Sequence, residues 1–251
     1  MSPDILFIAV AIPAVLLTGL SKGGFGGGMG MLATPLLAIT TSPIRAAAIM
    51  LPILVLMDIV ALISYRGRVN WHVIWQMIPG ALVGIGIGWA TALYVDENVF
   101  RIMVGLIAVI FAVNQFVADR LNRAAARESL VRANFWSTIA GYTSFVAHAG
   151  GPPFNAYALP LKLDKLIFAG TSVVFFAIVN AVKLVPYLAL GQFSSENLHI
   201  SALLMPVAII GVLFGVWAVH RVSQAIFYNI TYAAMLVIGI KLLYDGIIVL
   251  A

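Results

Sequence analysis

The sequence predicts an all-α polytopic membrane protein built from two inverted repeats, each with one broken or re-entrant helix pair and three long transmembrane helices. Composition carries the first part of this prediction: 63% of the residues are hydrophobic and only 9% are charged, whereas a soluble domain has about 25% charged residues. Long apolar runs carry the second part. The run 200–219 contains no charged residue and is long enough to cross a hydrocarbon core as a helix.

The apolar segments have the length of helices, and none of them alternates as a strand of a membrane β-barrel would. Their number is roughly eight to ten, depending on whether each broken pair crosses the membrane twice or dips in and returns. The segments beside each break are short, and several others are long enough to span with a tilt. The predicted segments are 5–20, 29–39, 44–65, 69–94, 99–117, 135–147, 154–163, 166–190, 198–219 and 225–250.

The two halves of the chain share glycines, prolines and a phenylalanine at a nearly constant spacing. Gly26 and Gly27 correspond to Gly150 and Gly151, which lie 124 positions later. This pattern indicates an internal duplication, which is common among transporter folds. Four further positions match residues that lie 127 positions later, namely Pro79, Gly84, Gly88 and Phe100 with Pro206, Gly211, Gly215 and Phe227.

The charges of matching loops have opposite signs, which predicts that the two halves are inserted in opposite orientations. The loop after the third segment contains Arg66 and Arg68, whereas its counterpart, 191–197, contains Glu196 and no basic residue. Basic loops face the cytoplasm by the positive-inside rule. The next pair of loops is reversed in the same way, with Asp96 and Glu97 in the first half and His220 and Arg221 in the second.

An arginine-rich stretch separates the halves and predicts the domain boundaries. We expect an N-terminal transmembrane repeat at 1–118, a cytoplasmic linker at 119–133 and a C-terminal inverted transmembrane repeat at 134–251. Because three long helices remain in each half, both termini then face outside. The basic residues are spread over short loops, which is typical of membrane orientation and argues against nucleic-acid binding.

A glycine-rich break at 19–30, the first break, interrupts what would otherwise be one helix. Glycines let backbone N–H groups reach a ligand without a side chain in the way, and the N-terminus of the following helix attracts anions. Alternatively, the glycines only permit close packing and the lysine extends to the membrane surface. The candidate substrate-binding residues here are Ser21, Lys22, Gly23, Gly24, Gly26, Gly27 and Gly28.

The second break, at 144–155, occupies the matching place in the other half. Backbone opened at membrane depth must be buried in protein or line a wet cavity, so we expect the two breaks to meet and form one anion site. His148 is the candidate for proton coupling because histidine titrates near neutral pH, and the alternative is a structural histidine that donates to a carbonyl. The candidate substrate-binding residues here are Ser144, His148, Gly150, Gly151 and Asn155.

Asp58 and Lys183 are the charges that fall furthest from any loop. A charge at mid-bilayer costs at least about 2.5–3.5 kcal/mol, so it normally faces the bundle interior and has a partner. Asp58 matches Asn180 at an offset of 122 positions, and Asn180 shares a helix face with Lys183. The sequence therefore predicts that Asp58 and Lys183 pair, or alternately pair and release, and that Asp58, Asn180 and Lys183, with His148, gate or couple transport. The alternative is a static ion pair or a buried proton carrier with no role in turnover.

Small residues also recur at four-residue spacing, as Gly80, Gly84 and Gly88 in one segment and Gly211 and Gly215 in another. Such stripes let helix backbones approach closely in lipid. We expect them to serve packing only.

Several classes of chemistry lack their motifs in this sequence. There is no cysteine and no G-x-S-x-G or H-E-x-x-H pattern, which argues against an enzyme. Histidines and methionines are not grouped as metal ligands. No nucleotide-binding motif is present, so we expect no cofactor and a driving force from an ion or substrate gradient.

The motifs GLSKGGFGGGMGMLATPLL in the first half and HAGGPPFNAYALPLKL in the second resemble the signature of the TauE/SafE family, the sulfite and organosulfonate exporters. The resemblance covers essentially the whole chain. It implies a multi-pass transporter in a bacterial or archaeal plasma membrane, whose partners are the lipid bilayer and a small anion such as sulfite, a sulfonate or a carboxylate. Efflux coupled to an ion gradient is expected. An anion channel of the same architecture and a homodimeric state stay open as alternatives.

Overall fold

The computed structural model describes residues 5–25, 33–38, 40–91, 97–120 and 125–248, and every regular element in these ranges is helical. A short 3₁₀ turn, Leu159–Leu161, follows the seventh α-helix. The α-helices in chain order are α1 (Ile5–Lys22), α2 (Ala33–Ala38), α3 (Pro43–Ser64), α4 (Trp71–Thr91), α5 (Glu97–Arg120), α6 (Leu130–Ala147), α7 (Gly151–Ala158), α8 (Lys165–Ala189), α9 (Ser195–Arg221) and α10 (Gln224–Ile248).

Six helices in the described part of the chain are long and apolar enough to cross a membrane, namely α1, α3, α4, α8, α9 and α10. Large apolar side chains such as Ile63 and Trp75 are exposed on the bundle surface, where lipid would cover them. The prediction of an all-helical polytopic membrane protein is therefore confirmed. Each half contains a helix followed by a short one, α1–α2 and α6–α7, and then three long helices.

Each of the two helix breaks has a local cause in the backbone. After α1, Gly24 adopts a φ of 144°, a conformation that side chains rarely allow. After α6, His148 adopts a left-handed φ of 53°, and prolines 152 and 153 start the next helix, since a first helical turn tolerates their missing N–H. Helix α6 itself begins at Leu130, inside the predicted linker, because the Ser129 hydroxyl accepts a hydrogen bond from its first turn.

The glycine stripes lie where helices pack most closely. A Cβ at Gly84 of α4 would overlap the carbonyl oxygen of Thr138 in α6, and a Cβ at Gly211 of α9 would lie 2.9 Å from the carbonyl oxygen of Leu16 in α1. Backbones can approach this far only without side chains between them. The predicted packing role of the stripes is confirmed. The two contacts also match each other, because Leu16 precedes Thr138 by 122 positions.

The long helices α3 and α8 pack against each other, and each also packs against a helix of the other half, α9 and α4 respectively. The matching helices α5 and α10 likewise pack together. Contacts between helices thus follow the same correspondence as the repeated residues. Which membrane face each end of the bundle meets stays a prediction.

Candidate functional site

The two breaks border one cavity, called the site cavity below, with about 340 Å³ of space outside the protein atoms. Helices α1, α3, α6, α7 and α8 all contribute to its wall, so that it lies where the two halves meet. Five of its residues were singled out from the sequence, and three were not. The lining residues are Thr18, Lys22, Leu54, Ser144, His148, Gly151, Phe176 and Asn180.

Asp58 lies one layer behind the site cavity and holds two of its polar side chains. Lys22 Nζ forms an ion pair with Asp58 Oδ1, and Asn180 Nδ2 donates to Asp58 Oδ2 over 2.7 Å. The carboxylate is 4% exposed, and a buried charge of this kind requires both an opposite charge and hydrogen bonds. Asp58 therefore fixes where the Lys22 ammonium and the Asn180 amide stand in the cavity wall.

Lys183 also lies behind the site cavity and holds two further polar side chains of its wall, Ser144 and His148. It is fully buried, and its Nζ contacts the Ser144 carbonyl oxygen at 2.8 Å, Ser144 Oγ at 3.0 Å and His148 Nδ1 at 2.8 Å. Three acceptors match the three N–H donors of an ammonium group. The carbonyl belongs to the last turn of α6, whose partial negative charge favours a cation there.

Asp58 and Lys183 therefore do not pair in this structure, and their alternate pairing and release during transport stays a prediction. Lys22 reaches Asp58 from the end of α1 and occupies one carboxylate oxygen, and Asn180 occupies the other. Lys183 lies one turn beyond Asn180 on α8 and faces the end of α6 instead. No carboxylate of the described residues forms a salt bridge with it.

His148 connects the wall of the site cavity to α3. Its Nε2 lies 3.0 Å from the carbonyl oxygen of Ala47, which can only accept, so Nε2 carries the proton and Nδ1 accepts from Lys183. Both ring nitrogens of the neutral ring are therefore engaged. A positive φ is uncommon outside glycine, and the contacts to Lys183 and Ala47 hold His148 in it.

The N-terminus of α7 also borders the site cavity. Gly151 is the first residue of α7, no side chain caps this end, and the two prolines that follow have no N–H to offer. The partial positive charge of a helix N-terminus lies on its first N–H groups, and Gly151 is the one residue among the first three of α7 that has such a group. The cavity thus combines one lysine ammonium, a helix N-terminus, two hydroxyls, an imidazole and an amide.

The family model for the sulfite exporter TauE/SafE matches residues 11–242, nearly the whole chain. The protein belongs to the TauE/SafE family. This family comprises membrane transporters and not enzymes, so the protein is a multi-pass membrane transporter with a small-molecule substrate. No curated protein and no solved structure matches the chain.

Other residues predicted for the site of this TauE/SafE transporter, where the structure describes them, do not line its cavity. Ser21 is buried in α1, and Gly150 packs beside Ala140 and Phe176. Asn155 of α7 is fully buried, and neither polar atom of its amide has a hydrogen-bond partner among the residues that the structure describes. Gly26, Gly27 and Gly28 lie outside the described residues.

Gly23 and Gly24 serve the local structure of the first break. The Cα of Gly23 packs against Gly215 of α9, and its carbonyl oxygen accepts a hydrogen bond from the Tyr65 hydroxyl. Burial raises the pKa of Tyr65 above its ordinary value, so this hydroxyl stays a donor. The contacts of Gly23 therefore fit the alternative role for these glycines, which is close packing.

Three wall residues of this TauE/SafE site were missed from the sequence, although a periodic signal could have found them. Thr18 and Phe176 lie four residues before Lys22 and Asn180, which puts each of them on the same helix face as a predicted site residue. Leu54 has the same relation to Asp58. The three missed wall residues could have been predicted by taking, for each predicted polar residue, the residue one helical turn before it.

Proposed function

We propose that this TauE/SafE protein moves a small anion, such as sulfite, an organosulfonate or a related carboxylate, across a prokaryotic plasma membrane by efflux coupled to an ion gradient. The observation that carries the proposal is the Lys22 ammonium in a cavity between two broken helices. Among the described residues, Asp58 takes one of the three N–H groups of this ammonium, which leaves two for a ligand. A small oxyanion matches donors arranged in this way.

The helix ends around the site cavity favour the same ligand. Gly151 brings the positive end of α7 to the wall. The negative end of α6 is offset by Lys183, which bonds the Ser144 carbonyl oxygen. An anion in the cavity therefore meets a lysine and a helix N-terminus without facing an uncompensated helix C-terminus.

The duplicated contacts support a mechanism of alternating access. We propose that residues 1–118 and 134–251 are inverted repeats joined by a cytoplasmic linker, with both termini outside. Substrate bound between such repeats is exposed to each side in turn when one bundle moves against the other. The site cavity, which receives residues from both halves, suits this arrangement.

Flux into proteoliposomes tests the proposal directly. Purified protein is assayed with sulfite, methanesulfonate, sulfate and acetate, with and without a pH gradient and a membrane potential. We expect saturable flux of at least one of these anions, reduced at least about tenfold by Lys22→Met, which removes about 1.4 kcal/mol or more of anion stabilisation. Because Lys22→Met also leaves Asp58 without its counter-charge, thermal unfolding first confirms that the variant is folded. Lys241→Met is the matched control, because Lys241 is exposed on α10 and pairs with Asp245.

The outcomes separate the proposal from its alternatives. If no anion is moved by the wild type, or if Lys22→Met and Lys241→Met transport equally well, the assigned site is wrong. Flux that rises linearly with anion concentration, at rates far above those of a conformational cycle, indicates an anion channel of the same architecture. A response to the pH gradient at fixed potential identifies protons as the coupling ion.

A further inference from the structure

A second cavity lies next to the site cavity and is called the vestibule below. It contains about 420 Å³ of space outside the protein atoms, and Ala47, Phe145 and Tyr187 belong to its wall. Leu190 and Gln192, which also line it, lie at the end of α8 and in the loop before α9. The vestibule is therefore at the end of the bundle where α8 gives way to α9.

The site cavity and the vestibule share one wall, which is the last turn of α6. Ser144 and His148 face the site cavity, while Phe145 and Val146, between them in sequence, face the vestibule. Besides the contacts from Lys183, two further hydrogen bonds fasten this turn to its neighbours. His148 Nε2 donates to the Ala47 carbonyl oxygen of α3 over 3.0 Å, and the Tyr187 hydroxyl of α8 donates to the Phe145 carbonyl oxygen over 2.9 Å.

The Tyr187 hydroxyl donates to the Phe145 carbonyl oxygen, which has no hydrogen-bond donor within α6. Carbonyls in the last turn of a helix lack partners within that helix, and the N–H of Ala149 bonds Thr143 and not Phe145. The Tyr187 ring also packs 5.4 Å from the Phe145 ring, centroid to centroid. Tyr187 thus holds the wall by a polar and an apolar contact that can be separated by mutation.

The other half of the chain has the same device at its own break. The Tyr65 hydroxyl donates to the Gly23 carbonyl oxygen at the end of α1. Tyr65 and Gly23 precede Tyr187 and Phe145 by 122 positions, and each carbonyl follows directly on a residue of the site cavity, Lys22 or Ser144. Two tyrosines therefore fasten the two broken helices at matching points.

We infer that Tyr187, together with the His148–Ala47 contact, forms the gate between the site cavity and the vestibule, and that Tyr65 closes the opposite end. The anion passes between site and vestibule only while the hydrogen bond from Tyr187 to Phe145 is broken. The inference rests on the proposed anion site, but it is tested by access to that site and not by transport.

The absence of cysteine from the sequence makes single-cysteine labelling clean. Thr18→Cys places a thiol in the site cavity, and Gln192→Cys places one in the vestibule. A charged, membrane-impermeant methanethiosulfonate reagent is added to right-side-out or to inside-out vesicles. Gln192→Cys identifies the side to which the vestibule opens, and the labelling rate of Thr18→Cys is then measured from that side.

We expect Tyr187→Phe to raise the rate for Thr18→Cys from the vestibule side about fivefold, since one net hydrogen bond of ordinary strength is removed while the ring contact stays. Tyr187→Ala, which removes the ring as well, should raise it further. Tyr65→Phe is the matched control and should raise the rate from the opposite side only. Thermal unfolding of each variant confirms that the fold is retained.

The inference is overturned if neither Tyr187 variant speeds labelling from the vestibule side, or if Tyr65→Phe speeds it equally from that side. Failure of the anion proposal looks different, because the labelling pattern can hold while no anion is transported. Conversely, saturable anion flux with unchanged Thr18→Cys labelling in both Tyr187 variants would contradict the gate and support the proposed transport function.

Discussion

Asn180 and Asp58 meet between α8 and α3, with Asn180 Nδ2 donating to Asp58 Oδ2 over 2.7 Å. The two residues occupy matching positions of the two halves, 122 apart, so the duplicated structure has an acid on one side and an amide on the other. This difference lets one lysine, Lys22, pair with the carboxylate while Lys183 bonds Ser144 and His148. The halves match in packing but differ in charge.

The buried pair of Lys22 and Asp58 should be costly to break from one side only. Asp58→Asn leaves the Lys22 ammonium buried without a counter-charge, so we expect the free energy of unfolding to fall by about 3–5 kcal/mol. The double substitution Asp58→Asn with Lys22→Met should recover most of this loss. Thermal unfolding in detergent measures both effects. Equal destabilisation by the single and the double substitution would contradict the pairing.

A second acid–base pair provides the control for that experiment. Asp245 and Lys241 pair across one turn of α10 and are much more exposed. Asp245→Asn should therefore change the free energy of unfolding by no more than about 1 kcal/mol.

Lys183 should raise the affinity for the anion indirectly, because it carries a positive charge and orients Ser144 and His148 in the cavity wall. Lys183→Met removes that charge and the hydrogen bonds to Ser144 and His148, so we expect the half-saturating anion concentration to rise about tenfold, which corresponds to about 1.4 kcal/mol. Saturation curves in proteoliposomes give this value. An unchanged half-saturating concentration at normal protein stability would show that Lys183 only caps α6.

Substitution by alanine should affect stability differently at two glycines of α4, Gly84 and Gly86. Gly84→Ala places a methyl group against the Thr138 carbonyl of α6, and overpacking of this kind costs about 1–3 kcal/mol. Gly86 on the same helix has open space around it, so Gly86→Ala should be neutral or stabilise by up to about 1 kcal/mol. Thermal unfolding of the two variants compares them. Similar losses for both would remove the role of the α4–α6 contact.

Replacing Asn155 with an apolar residue should increase stability but decrease transport. Its amide is fully buried and has no hydrogen-bond partner in the described part of the chain, and such a group costs about 1–3 kcal/mol. Asn155→Leu should therefore raise the thermal midpoint by a few degrees while it lowers anion flux, because one turn of α7 separates Asn155 from Gly151 in the cavity wall. Unchanged flux would assign the amide no part in transport.

The matched control for Asn155 is another buried polar group on a short helix. Thr34 of α2 is 4% exposed, and its hydroxyl also has no hydrogen-bond partner within the described ranges. Thr34→Val should stabilise the protein without lowering flux.

Much of this molecule could be predicted because the relevant signals are local. Charge content and the length of apolar runs determine that the chain belongs in a membrane, and glycines and prolines determine where helices break. The repeated glycines also predicted close helix contacts, such as that of Gly84 with Thr138. The two breaks in the signature motifs predicted the TauE/SafE family, which the family model confirms.

The sequence by itself determined the helices, their breaks and the set of polar residues near the site. Only the tertiary structure decided which of them bond, because a partner depends on how far and in which direction a side chain reaches once the helices are packed. Asp58 pairs with Lys22, 36 positions before it, and not with Lys183. Lys183 lies one turn further along α8 than Asn180, and that single turn brings it to the end of α6, beside Ser144 and His148.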